Sequence, residues 1–216
     1  MTPHAVTVLA FNGSRIDGSL FTSVADFARD TPWLNAPMAL TTNLGLGVFA
    51  VLMVIGWWRA RHRDDAAMAL ALAAPVSVVA AFAVTEVIKK LVAESRPCRA
   101  LPHDYFVNSC PAPTDYAFPS GHTTTAAATA AALFLLDRRL GAIAAVCTLL
   151  EGFTRVYVGD HYPHDVLGAI VIATPVAMIT SLILRELIRP LVSRLRTGGG
   201  ALQPLLTVGS AVEATR

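Results

Sequence analysis

The sequence predicts an all-α, polytopic membrane helix bundle of about five transmembrane spans, preceded by an N-terminal amphipathic interfacial helix. Three observations carry this. The 216 residues are 54% hydrophobic and only 15% charged, with mean hydropathy +0.55, too apolar for an ordinary soluble domain. Five stretches approach the roughly 20 apolar residues that a crossing helix needs. The arginines also gather between alternate stretches rather than at random.

The elements follow in order. Residues 1–36 form an N-terminal interfacial segment. Its Ile16, Leu20, Phe21, Val24, Phe27 and Ala28 share one helical face, with Asp17, Asp26, Arg29 and Asp30 elsewhere. A cap packed on the bundle is the alternative for it. No basic start precedes an apolar core, so no cleavable signal peptide is expected. Residues 37–196 form the membrane domain. Its first span runs near Met38 to Trp58, with Pro37 suited to a helix start and Trp57-Trp58 to an interface. The second runs near Ala66 to Val92 and tolerates Pro75 among its neighbours. The third, Ser120 to Leu136, is so rich in Ala and Thr that it belongs inside the bundle, where small residues pack closely. The fourth runs near Leu140 to Val158 and the fifth near Pro163 to Leu187. Residues 197–216, opening on Gly198-Gly199-Gly200, read as a flexible cytoplasmic tail.

Charge sets the expected orientation. Arg59, Arg61, Arg63, Arg138, Arg139, Arg185, Arg189, Arg194 and Arg196 fall on one side if the spans alternate, and that side is cytoplasmic by the positive-inside rule. The N-terminus, the loop holding Cys98 and Cys110, and the turn at 158–163 then face outward. Two thiols in an oxidising compartment, close together in a Pro-rich loop, are a candidate disulfide. Cys147 reads as a small core residue.

Three segments bear the chemistry, and all lie at the outward ends of spans: Lys89 to Pro97, Pro119 to His122 and Arg155 to Asp165. A phosphate ester carries up to two negative charges. Lys89 supplies a point charge against them, while Arg96 and Arg155 supply bidentate forks. Ser120 and Gly121 open a helix whose free N–H groups favour an anion. His161 precedes Asp165 by four residues, so the carboxylate can hold one ring nitrogen protonated and leave the other free to attack phosphorus. His122 stands where it can protonate a leaving oxygen. Membrane-edge snorkelling is the plain alternative for Lys89 and Arg96, and a structural ion pair with Arg155 is the default for Glu151. His122, Asp160, His161, His164 and Asp165 could also be assembled into a zinc site, but three basic residues around a cation disfavour it. His4, His62 and His103 show no partners.

The pattern Lys89-x6-Arg96-Pro97, Pro119-Ser120-Gly121-His122 and Arg155-x5-His161-x3-Asp165 resembles the three signature motifs of the type-2 phosphatidic acid phosphatase family, whose superfamily includes the vanadium haloperoxidases. The resemblance covers roughly residues 66 to 187, and Thr154 departs from a frequent Ser. It implies a metal-independent lipid phosphate phosphatase without cofactor. His161 would be the nucleophile of a phosphohistidine intermediate, oriented by Asp165, and His122 the general acid. Lys89, Arg96, Ser120, Gly121 and Arg155 would bind the phosphoryl oxygens. The preferred expectation is a bacterial-type plasma-membrane enzyme recycling undecaprenyl (polyprenyl) pyrophosphate, the cell-wall carrier lipid, from the extracytoplasmic face. Alternatives are a phosphatidylglycerophosphate or phosphatidate phosphatase, a lipid phosphotransferase, or a non-catalytic lipid-binding membrane protein. The partners expected are the lipid phosphate and the bilayer, with no nucleic acid.

Overall fold

The computed structural model describes residues 11–198 and 200–207, so His4 lies outside the described residues. Among those described there is no strand. The helices are α1 (Ser14–Asp30), α2 (Pro32–Leu44), α3 (Leu46–Ala60), α4 (Asp65–Val92), α5 (Pro97–Ala100), α6 (Gly121–Leu136), α7 (Arg138–Tyr157), α8 (Pro163–Thr197) and α9 (Gln203–Leu206). Three helical stretches are long and apolar enough to cross a membrane, and a fourth is gained if α2 and α3 count as one bent span. Helix α6, with 16 residues, is shorter, roughly 24 Å.

Helix α6 is the axis of the bundle. It packs on α4, α7 and α8, and its Thr123, Thr124, Ala126 to Ala132 and Leu133 are all buried. Alanine and threonine allow this close approach on several faces at once. Thr124 meets Thr85 of α4 through their hydroxyls at 3.1 Å, and Ser77 of α4 meets Ser181 of α8 at 2.6 Å. Hydroxyl pairs of this kind hold helices together where lipid offers no hydrophobic drive.

The first span departs from its expected form. Its helix starts at Pro32, not Pro37, which lies inside α2, and the rod bends by 44° at Gly45. A Cβ on Gly45 would collide with the Thr41 carbonyl and with Glu151 Oε2 of α7, so the bend falls where a glycine fits closely against its neighbours. The apolar stripe of α1 is also divided. Phe21, Ala25 and Ala28 are buried against Val156, Tyr157 and Tyr162, while Ile16, Leu20 and Phe27 stay exposed. The tail expected to be flexible docks over its described part. Leu206 is buried, Arg61 Nη2 donates to the Pro204 carbonyl at 2.6 Å, and Gln203 Nε2 donates to the Arg196 carbonyl at 2.8 Å.

Candidate active site

Helix polarity delivers the three motifs to one end of the bundle. Helices α4 and α7 finish there, whereas α6 and α8 begin there. Helix α4 carries Lys89 in its last turn and ends at Ala93, whose left-handed φ of 50° turns the chain back across the bundle. Arg96 follows at the start of α5. Ser120 caps α6, its hydroxyl accepting from the Thr123 hydroxyl at 3.1 Å, and its backbone N–H donates to the Asp165 carbonyl at 3.2 Å. Arg155 sits in the last turn of α7. Beyond it Gly159, at φ +90°, reverses the chain, so the N–H groups of Asp160 and His161 both return to the Arg155 carbonyl. The loop between α5 and α6 closes over this end, with Cys98 and Cys110 bonded at a Cα separation of 5.8 Å.

The result is a cavity of about 280 Å3 lined by Lys89, Arg96, Gly121, His122, Arg155 and His161, with Leu46 and Phe82 on its apolar side. Ser120 and Asp165 are fully buried behind this lining. Eight residues separated by up to 76 positions in the sequence therefore converge on one concavity.

His161 is the most closely constrained of them. It is 2% exposed. Nη1 of Arg96 donates to its Nε2 at 3.0 Å, which places the ring proton on Nδ1, and Nδ1 donates to Asp165 Oδ2 at 3.2 Å. That carboxylate oxygen also accepts from the Tyr162 N–H at 2.8 Å. Burial, and then the positive charges of Arg96, Arg155 and Lys89, holds His161 well below the ordinary 6.5. The side chain is thus a neutral base with a lone pair on Nε2, the form in which imidazole attacks phosphorus.

Several acidic partners were not picked out from the sequence. Arg155 pairs with Asp160 at 2.8 Å and donates to Thr42 at 2.9 Å. The Glu151 pairing is therefore corrected: among the described residues Glu151 Oε1 is buried without a hydrogen-bond partner, and its Oε2 lies beside Gly45. Asp115 takes Arg96 Nη2 at 2.8 Å and lies 3.9 Å from Lys89 Nζ, a carboxylate where a bound anion would meet the same cations. His164 is clamped between Asp17 at 2.7 Å and Glu94 at 2.9 Å, and its Nε2 lies 3.5 Å from Asp165 Oδ1. Asp17 arrives from α1, where non-helical φ and ψ (−143°, 28°) direct it inward. No local pattern announces a contact across 147 residues. Asp160, beside His161 in sequence, was the more legible of these.

The five-residue zinc set is not gathered. Asp160 is committed to Arg155, and the converging ligand atoms belong to Glu94, His164 and Asp165. His164 there is already an ion-pair partner, and the cations around His122 and His161 suit an anion.

A PAP2 superfamily model matches residues 70–189, more than half of the chain and all three motifs. The chain belongs to the PAP2 superfamily. Among its relatives, the undecaprenyl-diphosphatase BcrC of Bacillus subtilis is 28% identical over 154 residues, 71% of this chain and 77% of that one. The undecaprenyl-diphosphatase of Sulfolobus acidocaldarius is 38% identical over 97 residues, 43% of this chain and 45% of that one. The crystal structure of Aquifex aeolicus LpxE superposes with a TM-score of 0.59 at 20% identity, over 78% of this chain and 93% of that one. This last likeness concerns the fold. The PAP2 match begins inside α4, so Asp17, Thr42 and Leu46 come to the site from outside the matched region.

Proposed function

We propose that this PAP2 protein is an integral membrane phosphatase that hydrolyses a lipid phosphate or diphosphate through a phosphohistidine, with polyprenyl diphosphate as its preferred substrate. The observation that carries the reading is the convergence of Lys89, Arg96, Arg155, His122 and His161 on one cavity at a helix end. His161 Nε2 attacks phosphorus and the bond to the leaving oxygen breaks. His122 gives that oxygen its proton, then takes one from the water that cleaves the phosphohistidine. Asp165 holds the Nδ1 proton and orients the ring. Lys89, Arg96 and Arg155, with the Ser120–Gly121 end of α6, meet the oxygens on which negative charge is spread. Arg96 exchanges His161 and Asp115 for phosphoryl oxygens when substrate enters. These groups supply the charge that a metal would otherwise bring.

The diphosphate preference is supported by the two undecaprenyl-diphosphatases among the relatives. The expected outward orientation of the site agrees with it. Phosphate release by purified protein, with EDTA present, should be fastest from undecaprenyl diphosphate in a panel that includes phosphatidylglycerophosphate and phosphatidate. Faster release from either of the others would replace the substrate and keep the chemistry, while silence toward all three would overturn the reading.

Sidedness has its own test. A cysteine placed at the exposed His103, in a background lacking Cys147, should react with an impermeant thiol reagent on intact cells, and one at Asp64 should not. The reverse pattern would put the site in the cytoplasm and remove the outward carrier lipid as substrate.

A further inference from the structure

At the end of the bundle away from the catalytic cavity, α3 and α6 finish and α7 begins. Between them lies a concavity of about 680 Å3 walled by Arg59, His62, Arg63, Asp137 and Arg138. Neighbouring arginines are already engaged. Arg61 lies over the rings of Trp57 and Trp58 and donates to the Pro204 carbonyl, while Arg196 pairs with Asp65 at 2.9 Å. The concavity is different. Its one acid, Asp137, pairs with Arg59 at 3.0 Å, and Arg63 donates one bond to the Leu136 carbonyl at 2.6 Å. The Arg138 side chain has no ion-pair or hydrogen-bond partner among the described residues. Three arginines against one aspartate leave two positive charges in excess.

Phe134, 48% exposed, belongs to this wall and also to that of a second cavity of about 390 Å3. The second cavity runs along α6 toward the middle of that helix, between α7 and α8, over Ala127, Ala131, Ala145, Leu149 and Met178. Small side chains on α6 and α7 leave the trough open, and it covers about two helical turns, roughly 10 Å. A charged mouth thus continues into an apolar trough around a single aromatic side chain.

We propose that this composite site binds one anionic phospholipid, its headgroup among Arg59, Arg63 and Arg138 and one acyl chain in the trough between α6, α7 and α8. Charge complementarity selects the headgroup, since basic pockets between membrane helices take anionic heads. The arginines stand at the ends of α3, α6 and α7, the level at which headgroups border a span, and the apolar trough excludes a water-soluble anion as the full occupant. The site lies across the bundle from His161, so its ligand is a bound lipid rather than a substrate.

The test uses purified full-length protein in detergent with orthovanadate present to occupy the catalytic cavity. Dioleoylphosphatidylglycerol is the probe, because a phosphodiester is not a substrate of the proposed reaction, and thermal unfolding is the readout. It should raise Tm saturably, while dioleoylphosphatidylcholine and glycerol 3-phosphate should not. Arg59→Gln with Arg138→Gln should weaken the apparent affinity about tenfold or more. Ala145→Phe, which fills the trough from an exposed position, should weaken it with the arginines intact. Both variants should keep wild-type turnover. Equal protection by the zwitterionic lipid, protection by glycerol 3-phosphate alone, or wild-type affinity in either variant would overturn the proposal.

Discussion

His161→Ala is expected to abolish turnover, by about 10^4-fold or more, while phosphate still binds. The expectation follows from the position of the ring. Its Nε2 faces the cavity among Arg96, Arg155 and Lys89, and its Nδ1 is tied to Asp165. Those cations remain in the variant and continue to attract the anion, so binding and chemistry separate. Rapid acid-free quenching of the wild-type protein should trap a base-stable, acid-labile phosphoenzyme that the variant does not form. Full activity in His161→Ala would sink the nucleophile assignment. Acidity provides a second readout. Burial and nearby cations keep the folded-state ring neutral below the ordinary 6.5, so the acidic limb of kcat/KM due to this group should lie below pH 6.5. Under the same conditions the unfolded chain takes up a proton that the folded chain refuses. Stability at this position is therefore present above pH 6.5 and is lost as pH falls. Thermal unfolding of His161→Ala should show a flatter acid dependence than wild type.

Arg155→Ala should lower kcat/KM by about 10^2 to 10^3-fold, the usual effect of losing one preorganised donor to developing charge. It should also destabilise the protein by about 3–5 kcal/mol, because it strands a buried partner. Asp160, 5% exposed, would keep only the Asn108 amide at 2.9 Å among its side-chain partners. The two effects can be separated. Adding Asp160→Asn removes the unpaired charge, so the double variant should recover much of the lost Tm and none of the lost rate. Recovery of both would make Arg155 a structural ion-pair residue and remove it from the phosphate-binding set. Arg155→Lys should fall between, since an ammonium keeps the charge but cannot serve Asp160 and a phosphoryl oxygen with one planar fork.

Much of this molecule was legible before its fold, and the reason is chemical. A bilayer demands long apolar helices, so composition and the spacing of arginines exposed the bundle, the limits of α4, α6 and α7 to within two residues and the start of α8, although α8 runs on to Thr197, well past the expected Leu187. Phosphate chemistry demands a small set of side-chain types, so Lys89, Arg96, Ser120, His122, Arg155, His161 and Asp165 stood out by kind and by their place at helix ends. What remained hidden depends on distances between segments remote in the chain. The bend falls at Gly45, where Glu151 comes close, and neither residue announces the other. Arg155 has two nearby acids in its own segment, and only packing decides that Asp160 and not Glu151 takes the ion pair. Asp17, Glu94 and His164 meet because α1 folds back across the helix ends, bringing charges from three separate stretches into one partly buried cluster. Local sequence determines which helices can form and which groups can react. The tertiary structure alone decides which buried charge neutralises which, because that depends on a few ångströms of packing that no spacing rule encodes.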